Sequence, residues 1–208
     1  MSKGKFIVIE GLDGSGKTTQ VQLLTELLSY EGISVVNQKE PTPHKFGKMC
    51  REVLSGTELL PKSQLALLFV ADRIDHNTNE KDGIEKLLNE GYNIICDRYY
   101  YSTFAYQGVD VGLDWLMHLN LDCKDIRKPD LCIFLDLPPE KSMERINTNR
   151  RKDEIEIYET EEYLTNIRKR FYDVINILKK TENIEIINAD ADILTVSRKI
   201  KETVMKIL

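Results

Sequence analysis

Between an apolar run, Phe6–Ile9, and a helical pattern with Val21, Leu24 and Leu28 on one face lies Gly11-Leu12-Asp13-Gly14-Ser15-Gly16-Lys17-Thr18. The segment fits G-x-x-x-x-G-K-[ST] without a mismatch. Its placement, after a strand and opening a helix, is the one that phosphate binding requires. Glycines let backbone N–H groups turn inward around phosphate oxygens, and the helix N-terminus adds its positive dipole. Lys17 can then reach the β- and γ-phosphates, and the Thr18 hydroxyl is placed to ligate Mg²⁺. All eight residues, Gly11 to Thr18, are therefore expected to hold a nucleotide such as ATP.

The rest of the chain repeats the strand–helix alternation that this loop needs. Strands are expected at Lys5–Glu10, Ile33–Gln38, Tyr92–Cys96, Leu131–Leu135 and Ile184–Asn188. Short apolar runs separated by helical patterns read as a parallel sheet covered on both faces. Leu65–Leu88 reads as a long helical stretch broken near His76–Asn79. Leu164, Ile167, Phe171, Val174 and Leu178 form one helical stripe, and Ile193, Val196, Ile200, Val204 and Ile207 another. The expectation is an α/β fold of the P-loop NTPase class, with a five-stranded parallel sheet, helices on both faces and a helical lid. In such sheets ligands gather at the carboxyl ends of the strands.

At 208 residues, 41% hydrophobic and 30% charged, the chain suits one domain, residues 1–208. No linker or repeat divides it. Its purely apolar runs are far shorter than the roughly 20 residues of a membrane span, and the N-terminus lacks a secretory apolar region. No membrane association and a cytoplasmic location are expected. Cys50, Cys96, Cys123 and Cys132 show no paired spacing for zinc or disulfides, and Cys96 and Cys132 read as core residues. The net charge of −5 disfavours a nucleic-acid partner, so an anionic ligand must be held by local cations and backbone dipoles.

The loop alone leaves GTPases, ATP-driven machines and small-molecule kinases open. The chain has no NKxD for reading guanine. A motor ATPase would want an acidic pair ending a strand to activate water, but the relevant strand ends Cys96-Asp97-Arg98. An arginine there suits a second phosphorylated ligand better than water. That favours a phosphotransferase with an anionic acceptor over a nucleotide-sensing binding protein.

Three further segments carry a resemblance: Lys39-Glu40-Pro41, Leu68-Phe69-Val70-Ala71-Asp72-Arg73, and Asp97-Arg98-Tyr99-Tyr100-Tyr101-Ser102-Thr103-Phe104-Ala105-Tyr106-Gln107-Gly108. The last is similar to the DRY-x-x-S-x-x-AYQG signature of thymidylate kinases of the bacterial type. With the phosphate loop, the resemblance runs through nearly the whole chain. It implies transfer of the ATP γ-phosphoryl group to dTMP, giving dTDP and ADP for dTTP synthesis, with Mg²⁺ and in a homodimer. The nearest alternative is a kinase for another nucleoside monophosphate.

By the same resemblance, Asp13 approaches the 3′-hydroxyl of the acceptor deoxyribose, Phe69 stacks on thymine and Arg73 bonds a base carbonyl. Arg98 and Arg51 grip the acceptor phosphate. Asp97, Ser102, Tyr106 and Gln107 fall where the family arranges Mg²⁺, acceptor phosphate and sugar–base contacts. The metal set is thus Thr18 and Asp97. Lys39 stands where the family usually has arginine, as a looser phosphate contact. The lid, residues 141–160, lacks the family's Asp-Arg-x-Glu and reads Asn149-Arg150-Arg151-Lys152-Asp153-Glu154-Ile155-Glu156 instead. Gly14 has no side chain to offer the moving phosphoryl group. Beside Lys17 and Arg98, the remaining catalytic cation is therefore expected from Arg150 or Arg151, with Arg145 in reserve.

Overall fold

The computed structural model describes residues 3–149 and 160–208. Five strands, β1 (Phe6–Gly11), β2 (Val35–Lys39), β3 (Asn93–Asp97), β4 (Leu131–Asp136) and β5 (Ile184–Asn188), form one sheet in the order β2-β3-β1-β4-β5. Each pairing is parallel, as where Val8 of β1 lies between Cys96 of β3 and Cys132 of β4. The strand expectations hold to within one or two residues at each end.

Alternation along the strands divides the core in two. Phe6, Val8, Ile94, Cys96, Cys132 and Phe134 face one side, while Ile7, Ile9, Ile95, Ile133 and Leu135 face the other. The second side is covered by α1 (Lys17–Tyr30) through Val21, Leu24 and Leu28, and by α10 (Ile193–Val204) through Val196, Ile200 and Val204. Ile193 is an exception to its expected stripe: it opens the helix and is 57% exposed. The first side carries α9 (Glu161–Leu178), whose whole predicted stripe is buried, together with α5 (Tyr100–Tyr106) and α3 (Lys62–Thr78). The expected break near His76–Asn79 is real: α3 ends at Thr78 and α4 (Ile84–Asn89) follows.

The helices α2 (Lys45–Leu54), α6 (Gly108–Val111), α7 (Leu113–Leu121) and α8 (Pro139–Asn149) complete the described elements. The start of the expected lid is thus α8, and Arg150 and Arg151 lie outside the described residues. Cys96 and Cys132 are buried, and no Cys/His/Asp/Glu cluster fit for a metal occurs among the described residues. No described helix is long and apolar enough to cross a membrane. Because β1 and β3 are neighbours, the segments leaving their carboxyl ends lie side by side, and these are Gly11–Thr18 and Asp97–Ser102.

Candidate active site

The phosphate loop turns on glycine. Gly14 and Gly16 have φ of 77° and 93°, a region that strains residues with a Cβ. A Cβ on Gly14 would also stand 2.7 Å from the Ser142 carbonyl oxygen of α8. The loop is thereby pressed against α8, and the Ser142 hydroxyl donates to the Asp13 carbonyl. Lys17 is buried, its Nζ donating to the Leu12 carbonyl at 2.7 Å. Burial first, and the Arg98 guanidinium second, push its ammonium down to about 8.

A cleft of ≈ 390 Å³ opens over this loop, lined by Gly14, Gly16, Lys17, Thr18, Asp97 and Arg98 on the sheet side and by Arg145 of α8 opposite. Arg145 also donates to the Ala189 carbonyl at 3.1 Å, tying α8 to the segment after β5. At the floor, Thr18 Oγ1 donates to Asp97 Oδ2 at 2.6 Å. The other oxygen, Asp97 Oδ1, is buried with no hydrogen-bond partner among the described residues.

A second cleft, ≈ 190 Å³, is lined by Asp13, Arg98, Phe69, Arg73, Ser102, Tyr106 and Gln107, with Glu40, Pro41 and Leu54. Asp13 and Arg98 line both clefts and form an ion pair between them. Tyr106 donates to the second Asp13 oxygen at 3.1 Å, and its ring lies 5.4 Å from the Arg98 guanidinium. Burial, then the Asp13 charge, hold the Tyr106 phenol well above its usual range, so it stays a donor.

Two buried carboxylates that the sequence reading left without a role position the arginines. Glu10, 1% exposed at the end of β1, accepts from the backbone N–H groups of Tyr99 and Ser102 and from the Ser102 hydroxyl. It thereby caps the start of α5. Ser102 Oγ in turn accepts from Arg98 Nη1 at 2.9 Å. Arg98 has φ of 71°, the one positive value outside glycine among the described residues. Such a conformation persists where surrounding contacts enforce it. Burial holds the Glu10 carboxyl above its ordinary range even against Arg98.

Glu40, just after β2, accepts twice from Arg73, at 2.6 and 3.0 Å. Arg73 is 1% exposed and also donates to Asn120 Oδ1 and Thr103 Oγ1. Four of the five guanidinium N–H groups are thus engaged by the protein. An acid at the end of an apolar strand was the available signal for Glu10, whereas Glu40 follows the polar strand end Asn37-Gln38-Lys39, which offers none.

Two expected residues lie elsewhere. Arg51 holds the turn after β2, its Nη1 donating to the Pro41 and Thr42 carbonyls at 2.9 and 2.7 Å. Lys39 is exposed and lines a third cleft beside Thr18 and Asp97 rather than the one with Phe69 and Arg73. Neighbouring strand residues point to opposite faces, so burying Glu40 turns Lys39 the other way.

The family model for thymidylate kinase matches residues 9–200. Over 197 residues the chain is 38% identical to the probable thymidylate kinase of Pyrococcus abyssi, covering 92% of this chain and 91% of that one. It is 37% identical to the probable thymidylate kinase of Methanococcus aeolicus, covering 98% and 96% of the two chains. Identity to the thymidylate kinase of Caldicellulosiruptor saccharolyticus is 34%, covering 98% of each. With its glycine-rich loop opening α1, a second cleft adjoining that loop and similarity along nearly its whole length, this chain belongs to the thymidylate kinase family.

Proposed function

We propose that the protein transfers the γ-phosphoryl group of ATP to dTMP, forming dTDP and ADP for dTTP synthesis. The observation that carries this reading is the wall shared by the two clefts. Arg98 and Asp13 border both the phosphate loop and the pocket holding Phe69 and Arg73. A phosphoryl group passing between two bound nucleotides must cross such a wall.

In this reading the nucleotide phosphates rest on the Gly11–Thr18 backbone with Lys17 at the β- and γ-oxygens. The acceptor phosphate lies at Arg98 and Ser102, thymine lies against Phe69 and Arg73, and Gln107 closes the pocket. Tyr106 sits under the sugar, where a 2′-hydroxyl would be crowded, and Asp13 accepts from the 3′-hydroxyl. An oxygen of the acceptor phosphate attacks the γ-phosphorus, and the bond from that phosphorus to the β,γ-bridging oxygen breaks. The nucleophile is already an anion, so no strong general base is required. The protein contributes alignment and cations around the spreading negative charge. Lys17 and Arg98 supply two of these, and the third comes from the α8–lid side, from Arg145, Arg150 or Arg151.

Mg²⁺ suits the pair Thr18 and Asp97. Their hard oxygens include a buried carboxylate oxygen with no partner among the described residues. When bound, the ion offsets charge on the donor phosphates. Arg51 acts through the Pro41–Thr42 turn that borders the acceptor cleft, and Lys39 acts from the metal side. We further infer a single domain with a lid over residues 141–160, a homodimer, and work in the cytoplasm without nucleic acid or membrane. The test is ADP release from ATP and Mg²⁺ with and without dTMP. Release should depend on dTMP, and equal release without it would reject the reading.

A further inference from the structure

His76 lies one helical turn beyond Arg73 on α3 and is 4% exposed. Both of its ring nitrogens face oxygens. Nδ1 is 2.9 Å from Glu40 Oε1, and Nε2 is 2.9 Å from Gln38 Oε1. A neutral imidazole has one donor nitrogen and one acceptor nitrogen, so it could satisfy one of these contacts but not both.

Neither partner can turn over to relieve the conflict. The Gln38 amide is oriented from its other end, where its Nε2 donates to the Asp82 carbonyl at 2.7 Å. Rotating it would set the amide oxygen against that carbonyl oxygen, so the network fixes the assignment. Glu40 receives two N–H bonds from Arg73 on its other oxygen, the pattern of an ionised carboxylate. An ionised Glu40 has no proton to give at Oε1, so Nδ1 is the donor in that contact, as Nε2 is toward the Gln38 oxygen.

We propose that His76 is a positioning residue of the acceptor site, held as an imidazolium that locks Glu40 from behind while Glu40 locks Arg73 in front. The proposal rests on the acceptor reading above. The arrangement compensates its charges: Arg73 and His76 stand against Glu40, with Asp72 close enough on α3 to feel the ring. Lys39, His44, Asp82 and Asp97 border the cleft on the other side of the ring. A neutral group at position 76 leaves Gln38 or Glu40 without its donor, and the freed carboxylate no longer fixes the Arg73 guanidinium.

The test begins with the unsubstituted full chain. Its three histidines are labelled with ¹⁵N in the ring, and the signals are assigned with His44→Gln and His118→Gln. At pH 7 both ring nitrogens of His76 should carry protons. One unprotonated nitrogen would overturn the proposal. The kinetic arm uses His76→Gln, which can donate in place of one ring nitrogen but not both. The dTMP KM should rise about tenfold, well beyond any change in kcat or ATP KM. His118→Gln, at an exposed position, should change neither. A loss confined to kcat would contradict a positioning role, and if His76→Gln does not fold, the ring spectra decide. Should the unsubstituted chain prefer another monophosphate, the acceptor reading fails separately, and KM is measured with that monophosphate.

Discussion

Arg98 donates to Asp13 across the wall between the phosphate-loop cleft and the cleft lined by Phe69 and Arg73, and this pair is built from both strand ends at once. Asp13 comes from the loop after β1, and Arg98 from the turn after β3 with φ of 71°. Ser102 steadies the guanidinium from the side, and Glu10 steadies Ser102. The protein's own groups therefore fix the cation, the condition under which electrostatic stabilisation is most effective.

Arg98→Ala should lower kcat by about 10²-fold or more, as expected for a donor aimed at developing charge. Arg98→Lys should recover little, because one ammonium cannot reach Asp13, Ser102 and two phosphate oxygens together. Steady-state kinetics of both variants check this. A lysine variant within fivefold of the parent would remove the planar fork from the mechanism.

The ammonium of Lys17 supplies a pH dependence. Its value in the free protein is about 8, so the charged form is present below that pH and lost above it. kcat/KM for ATP, which reports the free enzyme, should fall as pH rises through about 8. Lys17→Ala should lower turnover about 10²-fold at neutral pH and lose that alkaline limb. A limb that survives in Lys17→Ala would assign it to another group.

For the Thr18–Asp97 pair, Asp97→Asn removes the negative charge but keeps a group of the same shape. The Mg²⁺ concentration for half-maximal activity should rise about tenfold or more, since ligand charge sets the affinity of such sites. A titration of activity against Mg²⁺ measures it. An unchanged midpoint would place the ion elsewhere.

Much of this site was legible in the sequence because its signals are local. The phosphate loop is contiguous, and the strands are short apolar runs whose ends define where ligands gather. Phe69, Arg73, Arg98, Ser102, Tyr106 and Gln107 do come together in one cleft. What was not legible depends on long-range pairing. Glu10 meets Ser102 across 92 positions, and Arg73 meets Glu40 across 33. A buried acid at a strand end has no periodic signature, so its role emerges once its partner is placed. The opposed directions of Lys39 and Glu40 follow from strand alternation but needed the burial of Glu40 to fix which one faces the pocket.

In the proposed mechanism the third cation comes either from α8 or from the residues that follow it. Arg145 lines the phosphate-loop cleft from α8, while Arg150 and Arg151 follow that helix in sequence. Either Arg150→Ala or Arg151→Ala should lower kcat about 10²-fold with little change in dTMP KM, the pattern of a contact made mainly in the transition state. Should the Arg150/Arg151 double variant keep kcat within threefold, the role passes to Arg145, and Arg145→Ala should show the loss instead.

In the proposed reaction the cleft bounded by Phe69, Arg73 and Tyr106 takes dTMP, which there receives the ATP phosphoryl group. Coupled ADP release over a panel of dTMP, dUMP, dCMP, CMP, UMP, AMP and GMP, with ATP and Mg²⁺ in excess, measures this directly. The highest kcat/KM is expected for dTMP, with the ribonucleotides CMP and UMP at least about 10²-fold lower. CMP or UMP turned over better than dTMP would contradict it.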